Sequence, residues 1–588
     1  MHLNILALDL DGTLATNGQV DAETWQSLRR AKEAGYVLIL VTGRRLSVIP
    51  EIGPFDDLCE AIISENGATI YFPRNDTTVT PFGRLAPEVV QKLEGLGEHI
   101  EFGVAIAATW IPHDREVLSI LSETGYAATV EYNKGAVMIL PPGATKGSGL
   151  KAALEELGYS ARNVIAFGDA ENDRSMFEQA DLSVAVSNAI PAIKNLADSV
   201  TRQPNGKGSR EVMDQLLEGK IPQYRCRPQR RIQLGHRQDD LPVCLSPFNL
   251  LDTNWGIIGS SGSGKSWLAG LLVEQLLRMD YQICVIDPEG DYRSIKAFPR
   301  TIVLGSDQTS PPSVGDVITL LEYARVSIFL DLSLYQPAQK VAYVTAFMQA
   351  LSGLRARRGI PHWFLIDEAH YFCSQEGGIL TDLLLENARF GGFTFVTYQS
   401  AAMPVKLLRA VDHWMFTRIR DRQELRHLKH ALGTRSCSGL EQLHKLSNKQ
   451  LYLCLGETNQ MEPPVSGVIE LDKVSRATPH VRHLHKYLLA PLPADKQFYF
   501  HLNSSDRSVR PAASLWEFLQ ALPLLSPKTI KYHLGREDFE RWVREVIHDE
   551  ELSRQIHKLA QRDIAGEAMK DALYDTVSHR FDELESLI

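Results

Sequence analysis

Short apolar runs of strand length alternate with longer stretches of helical periodicity along most of the chain. From residue 3 to about 215 the runs include Ile5–Leu8, Val37–Thr42 and Val164–Phe167, and polar clusters follow them. Continuous apolar runs are what strands buried on both faces look like, so the pattern predicts a parallel sheet covered by helices. A second series begins at Trp255–Ile258 and continues through Ile283–Ile286, Ile302–Leu304, Val326–Leu330, Trp363–Ile366 and Phe393–Thr397. After about residue 475 the texture changes. A short aromatic segment, Gln497–His501, leads into strongly charged sequence of helical period. The expected fold class is α/β: two parallel-sheet, three-layer domains and a mainly helical C-terminal module. The expected boundaries are 1–215, a basic linker at 216–238, 239–475 and 476–588.

Length and composition agree. A chain of 588 residues is too long for one core and predicts about three domains. Hydrophobic residues at 44% and charged residues at 23% are ordinary for a soluble globular protein. There is no apolar run long enough to span a bilayer and no cleavable signal pattern at the start. Seven scattered cysteines without a CxxC pair suggest neither a disulfide framework nor a zinc site, so the expectation is a reduced, cytoplasmic protein. A net charge of −10 argues against a wholly basic nucleic-acid coat and leaves room for a local basic channel.

Two clusters carry the chemistry. Asp9-Leu10-Asp11-Gly12-Thr13 directly follows the first apolar run, so its carboxylates face the crevice beyond a strand's carboxyl end, where open α/β sheets bind ligands. Thr42-Gly43-Arg44, Lys146 after Pro142-Gly143, and Gly168-Asp169-Ala170-Glu171-Asn172-Asp173 follow in order. One DxDGT alone is as easily a surface turn; four clusters in order are not. Together they resemble the haloacid-dehalogenase phosphohydrolases. The resemblance implies Asp9 as nucleophile, forming an aspartyl-phosphate, and Asp11 as general acid and base. Thr42 would bind phosphoryl oxygens and Lys146 would neutralise charge. Mg²⁺ would be held by Asp9, Asp169 and the backbone carbonyl of Asp11, with Gly43, Asn172 and Asp173 in support. The insertion between Thr42 and Lys146 implies an α/β cap of the Cof-like type at about 83–142, preceded by the turn Ser64-Glu65-Asn66-Gly67-Ala68. Members of that branch often take sugar phosphates or similar small phosphomonoesters.

The second cluster is Gly259-Ser260-Ser261-Gly262-Ser263-Gly264-Lys265-Ser266, between a strand and a helical pattern, as a P-loop requires. Its amides, with Gly259, Ser260, Gly262, Ser263 and Gly264, would cradle ATP; Lys265 would reach the β- and γ-phosphates and Ser266 would ligate Mg²⁺. Phe364-Leu365-Ile366-Asp367-Glu368 is an apolar strand ending in two acids, Asp367 for the metal and Glu368 to polarise water. Asp367-Glu368-Ala369-His370 imitates a helicase box, but no second helicase core accompanies it. With Ile286–Tyr292 these features resemble the HerA/FtsK-like branch of hexameric motor ATPases. The resemblance implies Gln399 as a polar sensor at a strand end and an arginine serving a neighbouring subunit in a ring. Arg389, Arg418 and Arg420 are the candidates, and the sequence does not choose among them. Glu289 stands where that branch commonly has lysine.

Arginine-rich stretches at 225–237, 355–358 and 418–430 line a DNA pore on one reading and are solvated or ion-paired on the other. In the tail, tryptophan and phenylalanine recur at helical spacing, which predicts a small core and an assembly or docking role; His533 with Asp538 is a weak metal pair. The leading expectation is a bifunctional Mg²⁺-dependent phosphohydrolase and ring-forming ATPase acting on DNA or nucleotides, in the manner of bacterial genome defence. Its partners would be copies of itself, duplex DNA and a phosphorylated small molecule or nucleotide, with no membrane. The alternatives are a metabolic phosphatase whose ATPase domain is a scaffold or nucleotide sensor, and an inactive phosphatase fold kept for binding.

Overall fold

The computed structural model describes residues 2–585 apart from 134, 306–310, 324, 374–376, 434–439, 457–465, 472–473, 479–487, 489–491, 493–495, 502–509, 548 and 563. The first apolar runs form β1 (Ile5–Asp9), β2 (Val37–Val41) and β3 (Ala61–Ser64), followed by β4 (Thr69–Phe72) and β5 (Thr77–Val79). The chain then builds a separate antiparallel sheet from β6 (Glu101–Phe102), β7 (Ala107–Trp110), β8 (Thr129–Asn133) and β9 (Ala136–Leu140), in the order β6-β7-β9-β8. Helices Pro87–Glu94 and Asp114–Thr124 cover one face of it through Val89, Leu93, Val117 and Leu121. The chain returns to the first sheet with β10 (Val164–Gly168), β11 (Leu182–Ala185) and β12 (Ser199–Val200), giving the order β12-β11-β10-β1-β2-β3-β4-β5. β1 lies parallel between β10 and β2, so connections leave it in both directions and a crevice opens at its carboxyl end.

The second sheet holds β13 (Ile232–His236), β14 (Pro242–Leu245), β15 (Trp255–Ile258), β16 (Ile283–Asp287), β17 (Thr301–Leu304), β18 (Ser327–Asp331), β19 (Trp363–Ile366), β20 (Phe393–Thr397), β21 (His413–Phe416), β22 (Gln450–Cys454) and β23 (Gly467–Glu470). Their order is β14-β13-β23-β22-β21-β15-β20-β19-β16-β18-β17. β21 through β17 are parallel; the four strands at the other edge pair antiparallel. β20 sits between β15 and β19, so whatever follows β20 falls between the P-loop and the acidic pair. The C-terminal helices, from Leu515–Ala521 to Glu567–Glu585, close on their own apolar cluster, which contains Phe518, Phe539 and Trp542.

The stretch expected as a basic linker is partly built into the fold, although Arg225 and Arg231 stay exposed. β13 begins inside it at Ile232. Arg227 pairs with Asp198 at 2.6 Å and Arg230 with Asp181 at 3.0 Å, while Arg225 donates to the carbonyl of Lys194. Their acids lie far off in sequence, which is why the run read as a patch. One apolar cluster continues from Leu6 and Phe167 beside the first sheet to Ile232, Trp255 and Leu365 in the second. At that junction His2 is buried with Nε2 3.1 Å from Asp181 and Nδ1 3.0 Å from Asp252. Tyr281 also donates to Asp181 at 2.9 Å, and Asn163 donates to the carbonyls of His2 and Gly359. Among the described residues Cys59, Cys226, Cys244, Cys284 and Cys373 are free. Among the described residues no helix is long and apolar enough to cross a membrane.

Burial opposes charge on His2, but Asp252 and Asp181 outweigh it and hold its pKa up at about 9; Asp181 is held down to about 2, its burial outweighed by His2, Arg230 and Arg162. A histidine raised from 6.5 in the unfolded chain contributes stability that is complete below pH 6.5 and lost as pH rises through 9. The neighbouring His362 is held neutral, near 3, by burial and by the charge of His2. Denaturant unfolding should therefore show stability falling between pH 6.5 and 9. His2→Ala should lose that pH dependence and about 3–5 kcal/mol at pH 6, because two buried carboxylates are left facing a gap.

Candidate active sites

At the crevice, β1 ends on Asp9, β2 is followed by Thr42, and β10 by Asp169, so three adjacent strands bring the three residues together. Lys146 arrives from the helix Lys146–Leu157. Thr145 caps that helix, accepting from the Ser148 amide at 3.1 Å while Ser148 Oγ accepts from the Thr145 amide at 2.9 Å, which fixes Lys146 at the first helical position. Its ammonium is buried and lies 2.6 Å from both Asp9 and Asp173. The other oxygen of Asp173 accepts the amides of Asp169 and Ala170 at 2.8 and 2.9 Å. Asp173 is thus a positioning residue for both Lys146 and the Asp169 turn.

Burial, then Asp173 and Asp169, raise Asp9 to about 7 against the opposing pull of Lys146. Burial disfavours the charge on Lys146, yet Asp173 and Asp9 outweigh it and raise its pKa. Carboxylate oxygens of Asp9, Asp169 and Asp173 lie within 4.8 Å of one another. Hard oxygen donors crowded at this spacing suit a divalent cation, whose charge would relieve the repulsion that lifts Asp9. Gly12 has φ +89°, and a Cβ there would meet Asp169 Oδ2 at 2.3 Å, so only glycine fits the turn between Asp11 and the acidic cluster.

The second site is built the same way. Gly259 follows β15, and a Cβ on it would meet Thr417 Oγ1 at 1.8 Å, so the loop passes close against β21. Ser263 Oγ bonds the Ser260 carbonyl and Thr417 Oγ1, both at 2.6 Å, and the Ser260 amide donates to the Arg418 carbonyl. Gly262, Gly264 and Ser266 complete the loop, the helix Lys265–Arg278 starting at its end. Lys265 lies against it, 3.2 Å from the Ser260 carbonyl, with its pKa lowered by burial. Asp367 follows β19, buried, and burial with Glu368 and Asp291 nearby pushes its pKa well up. Glu368 has left-handed backbone (φ +43°), a strained conformation for a non-glycine residue, and lies 3.3 Å from His370 Nδ1. A cavity of about 430 Å³ opens beside the loop, lined by Ser260, Ser261, Tyr398, Gln399, Asp421 and Glu424.

The family model for haloacid dehalogenase-like hydrolases matches residues 6–96 and 113–213, and that for the central domain of helicase HerA matches 232–350. Phosphoglycolate phosphatase 2 of Saccharolobus solfataricus is 33% identical over 221 residues, covering 37% of this chain and 93% of its own. The chain belongs to the haloacid dehalogenase-like hydrolases. A phosphoglycolate phosphatase of Staphylothermus marinus is 25% identical, covering 37% of this chain and 98% of its own. A solved haloacid dehalogenase-like hydrolase from Bacteroides thetaiotaomicron covers 36% of this chain and 99% of its own at 23% identity and a TM-score of 0.30, a likeness that carries no further weight. The haloacid dehalogenase-like phosphatase domain is thus joined to a HerA-like P-loop ATPase domain in one enzyme.

In the haloacid dehalogenase-like site the structure gathers Asp9, Thr42, Lys146, Asp169 and Asp173. Gly43 and Asn172 meet at Asn66: a Cβ on Gly43 would lie 3.0 Å from Asn66 Oδ1, which accepts from Asn172 at 3.0 Å. Sequence reasoning assigned no role to Arg44, which clamps Asp11 through two bonds of 2.7 and 2.6 Å. It also gave none to Glu65, a fully buried residue with φ +54° that accepts the amides of Val104 and Ala105 at 2.8 and 2.9 Å and so ties the cap to the turn before it. Proximity of Arg44 to Asp11 in the motif order was the available signal for the first; nothing local announced the second.

In the ATPase site Gln399 does fall between the P-loop and the acidic pair. Arg389 does not join it. It is exposed, before the amino end of β20, while the P-loop follows the carboxyl end of the parallel β15. Arg418 and Arg420 instead border the loop through their backbones. Glu289 accepts from Tyr371 at 3.0 Å and lies 3.6 Å from Lys496 of the C-terminal region. Arg355 is buried, donating to the carbonyls of Asn387 and Gly391, and Arg358 faces Glu322, so this pair leaves the basic-surface reading. His533 is no metal ligand: Nδ1 pairs with Asp538 at 2.9 Å and Nε2 accepts the His501 amide at 2.9 Å, which occupies both nitrogens.

Gly12→Ala should lower phosphatase turnover by at least ~100-fold through displacement of Asp169, with ATP hydrolysis unaffected. Arg44→Ala should lower kcat by a similar ~10²-fold, since Asp11 loses its orientation, with a smaller change in KM. Steady-state kinetics on purified full chain measures both.

Proposed function

We propose that the chain is a Mg²⁺-dependent phosphomonoester hydrolase and an ATPase that works as a ring on duplex DNA. The observation that carries the phosphatase reading is the buried ammonium of Lys146 between Asp9 and Asp173. Asp9 attacks phosphorus; Asp11, oriented by Arg44, protonates the leaving oxygen and then takes a proton from water. Lys146 and Thr42 hold phosphoryl oxygens. Asp9, Asp169 and the Asp11 carbonyl would hold Mg²⁺, which supplies charge neutralisation when bound. The cap suits a small phosphomonoester, and the relatives' name puts phosphoglycolate among the first to try.

At the ATPase site Lys265 would engage the phosphates, Ser266 and Asp367 would hold Mg²⁺, and Glu368 would polarise water. A hexameric ring is supported by the HerA match and by an exposed Arg389 that its own P-loop does not use. DNA contact rests on the helix Arg422–Leu432, whose exposed Arg422, Arg426 and His430 are spaced by four residues beside the P-loop. The pairing of a motor-like domain with a hydrolase is the one support for a role in genome defence. One observation favours a metabolic phosphatase with an ATPase scaffold: Arg227, Arg230 and Arg355 are turned inward.

The test is ATP hydrolysis with and without linear duplex DNA, using Lys265→Ala and Asp9→Asn. Stimulation by DNA that vanishes in Lys265→Ala and weakens with salt supports the motor; Lys265-dependent hydrolysis indifferent to DNA supports the scaffold. Asp9→Asn should abolish hydrolysis of p-nitrophenyl phosphate and leave ATP hydrolysis intact.

A further inference from the structure

Cap strand β8 pairs with β9 so that Glu131 stands directly opposite Met138. Cross-strand partners project from the same face of a sheet. Met138 Sδ accepts from Asn66 Nδ2 at 3.1 Å, and Asn66 in turn meets Asn172. The face bearing Glu131 therefore looks down on the catalytic turn, while Val130 and Ile139 on the other face pack against the cap helices. Glu131 lies within electrostatic reach of Lys146 and Asp173. Its Oε2 is buried and has no hydrogen-bond partner. An unsatisfied buried carboxyl oxygen is costly, so its place over a reaction centre calls for a partner that arrives with the substrate.

We infer that Glu131 receives a hydroxyl of the substrate's leaving group and so selects hydroxylated phosphomonoesters over those whose leaving group carries a carboxylate. A hydroxyl both donates and accepts, so it pairs with a carboxyl in either protonation state. An ammonium would sit beside Lys146 and a carboxylate beside Asp9 and Asp173; a neutral hydroxyl meets neither repulsion. The assignment rests on the phosphatase reading and names the substrate class of that site.

The experiment compares kcat and KM for glycerol 3-phosphate, 2-phosphoglycolate and p-nitrophenyl phosphate, with magnesium, for the full chain, Glu131→Ala and Glu131→Gln. Wild type should prefer glycerol 3-phosphate to 2-phosphoglycolate by about tenfold or more. Glu131→Ala should cut that preference about tenfold, chiefly through KM, and Glu131→Gln, which can still bond a hydroxyl, should restore most of it. ATP hydrolysis by the same preparations reports whether the variants are folded. A wild-type preference for 2-phosphoglycolate, or an equal loss on all three esters in Glu131→Ala, overturns the inference. Absence of Asp9-dependent hydrolysis of p-nitrophenyl phosphate overturns instead the phosphatase reading beneath it.

Discussion

One buried ammonium holds the first site in order. Asp9, Asp169 and Asp173 crowd at the end of parallel strands, and without Lys146 their mutual repulsion would go uncompensated in a region shut off from water. Everything else there follows from placing that charge: the Thr145 cap that starts its helix, the Asp173 bridge to the Asp169 turn, and the glycine that lets the chain pass between acids. The second site states the same problem without its answer. Lys265 leans on a carbonyl with its pKa lowered, while Asp367 is pushed up by burial and Glu368.

Residues adjacent to a strand in sequence were legible. Asp9, Thr42, Asp169, the P-loop and Asp367 each follow an apolar run, and a run's end is where a parallel sheet presents side chains to ligand. Gln399 was legible for the same reason, although its place between the loop and the acids depends on β20 lying inside the sheet, which no local pattern gives. Residues that act through distant partners were not legible. Glu65 reaches amides 39 and 40 residues on. The arginines of the expected linker looked like a nucleic-acid surface because Asp181 and Asp198 lie far upstream. His533 and Asp538 looked like half a metal site until the His501 amide took the remaining nitrogen.

The two catalytic units are joined by more than a peptide. His2 lies between Asp181 and Asp252, and Arg325 and Arg358 donate to carbonyls of Leu154 and Leu157 at the end of the Lys146 helix. The helix that positions the phosphatase lysine is thus held at its far end by the ATPase side. Lys496 ties the C-terminal region to Glu289 beside the acidic pair in the same manner.

This junction bears on modularity. A fusion whose parts meet only through a tether can be cut and its halves assayed apart, and evolution can exchange them freely. Here a cut near residue 215 would strip Asp181 and Asp198 of their arginines and leave Asp252 without His2, so each half would carry acids buried for a neighbour it no longer has. The phosphatase head is less a passenger on the ATPase than a shared wall.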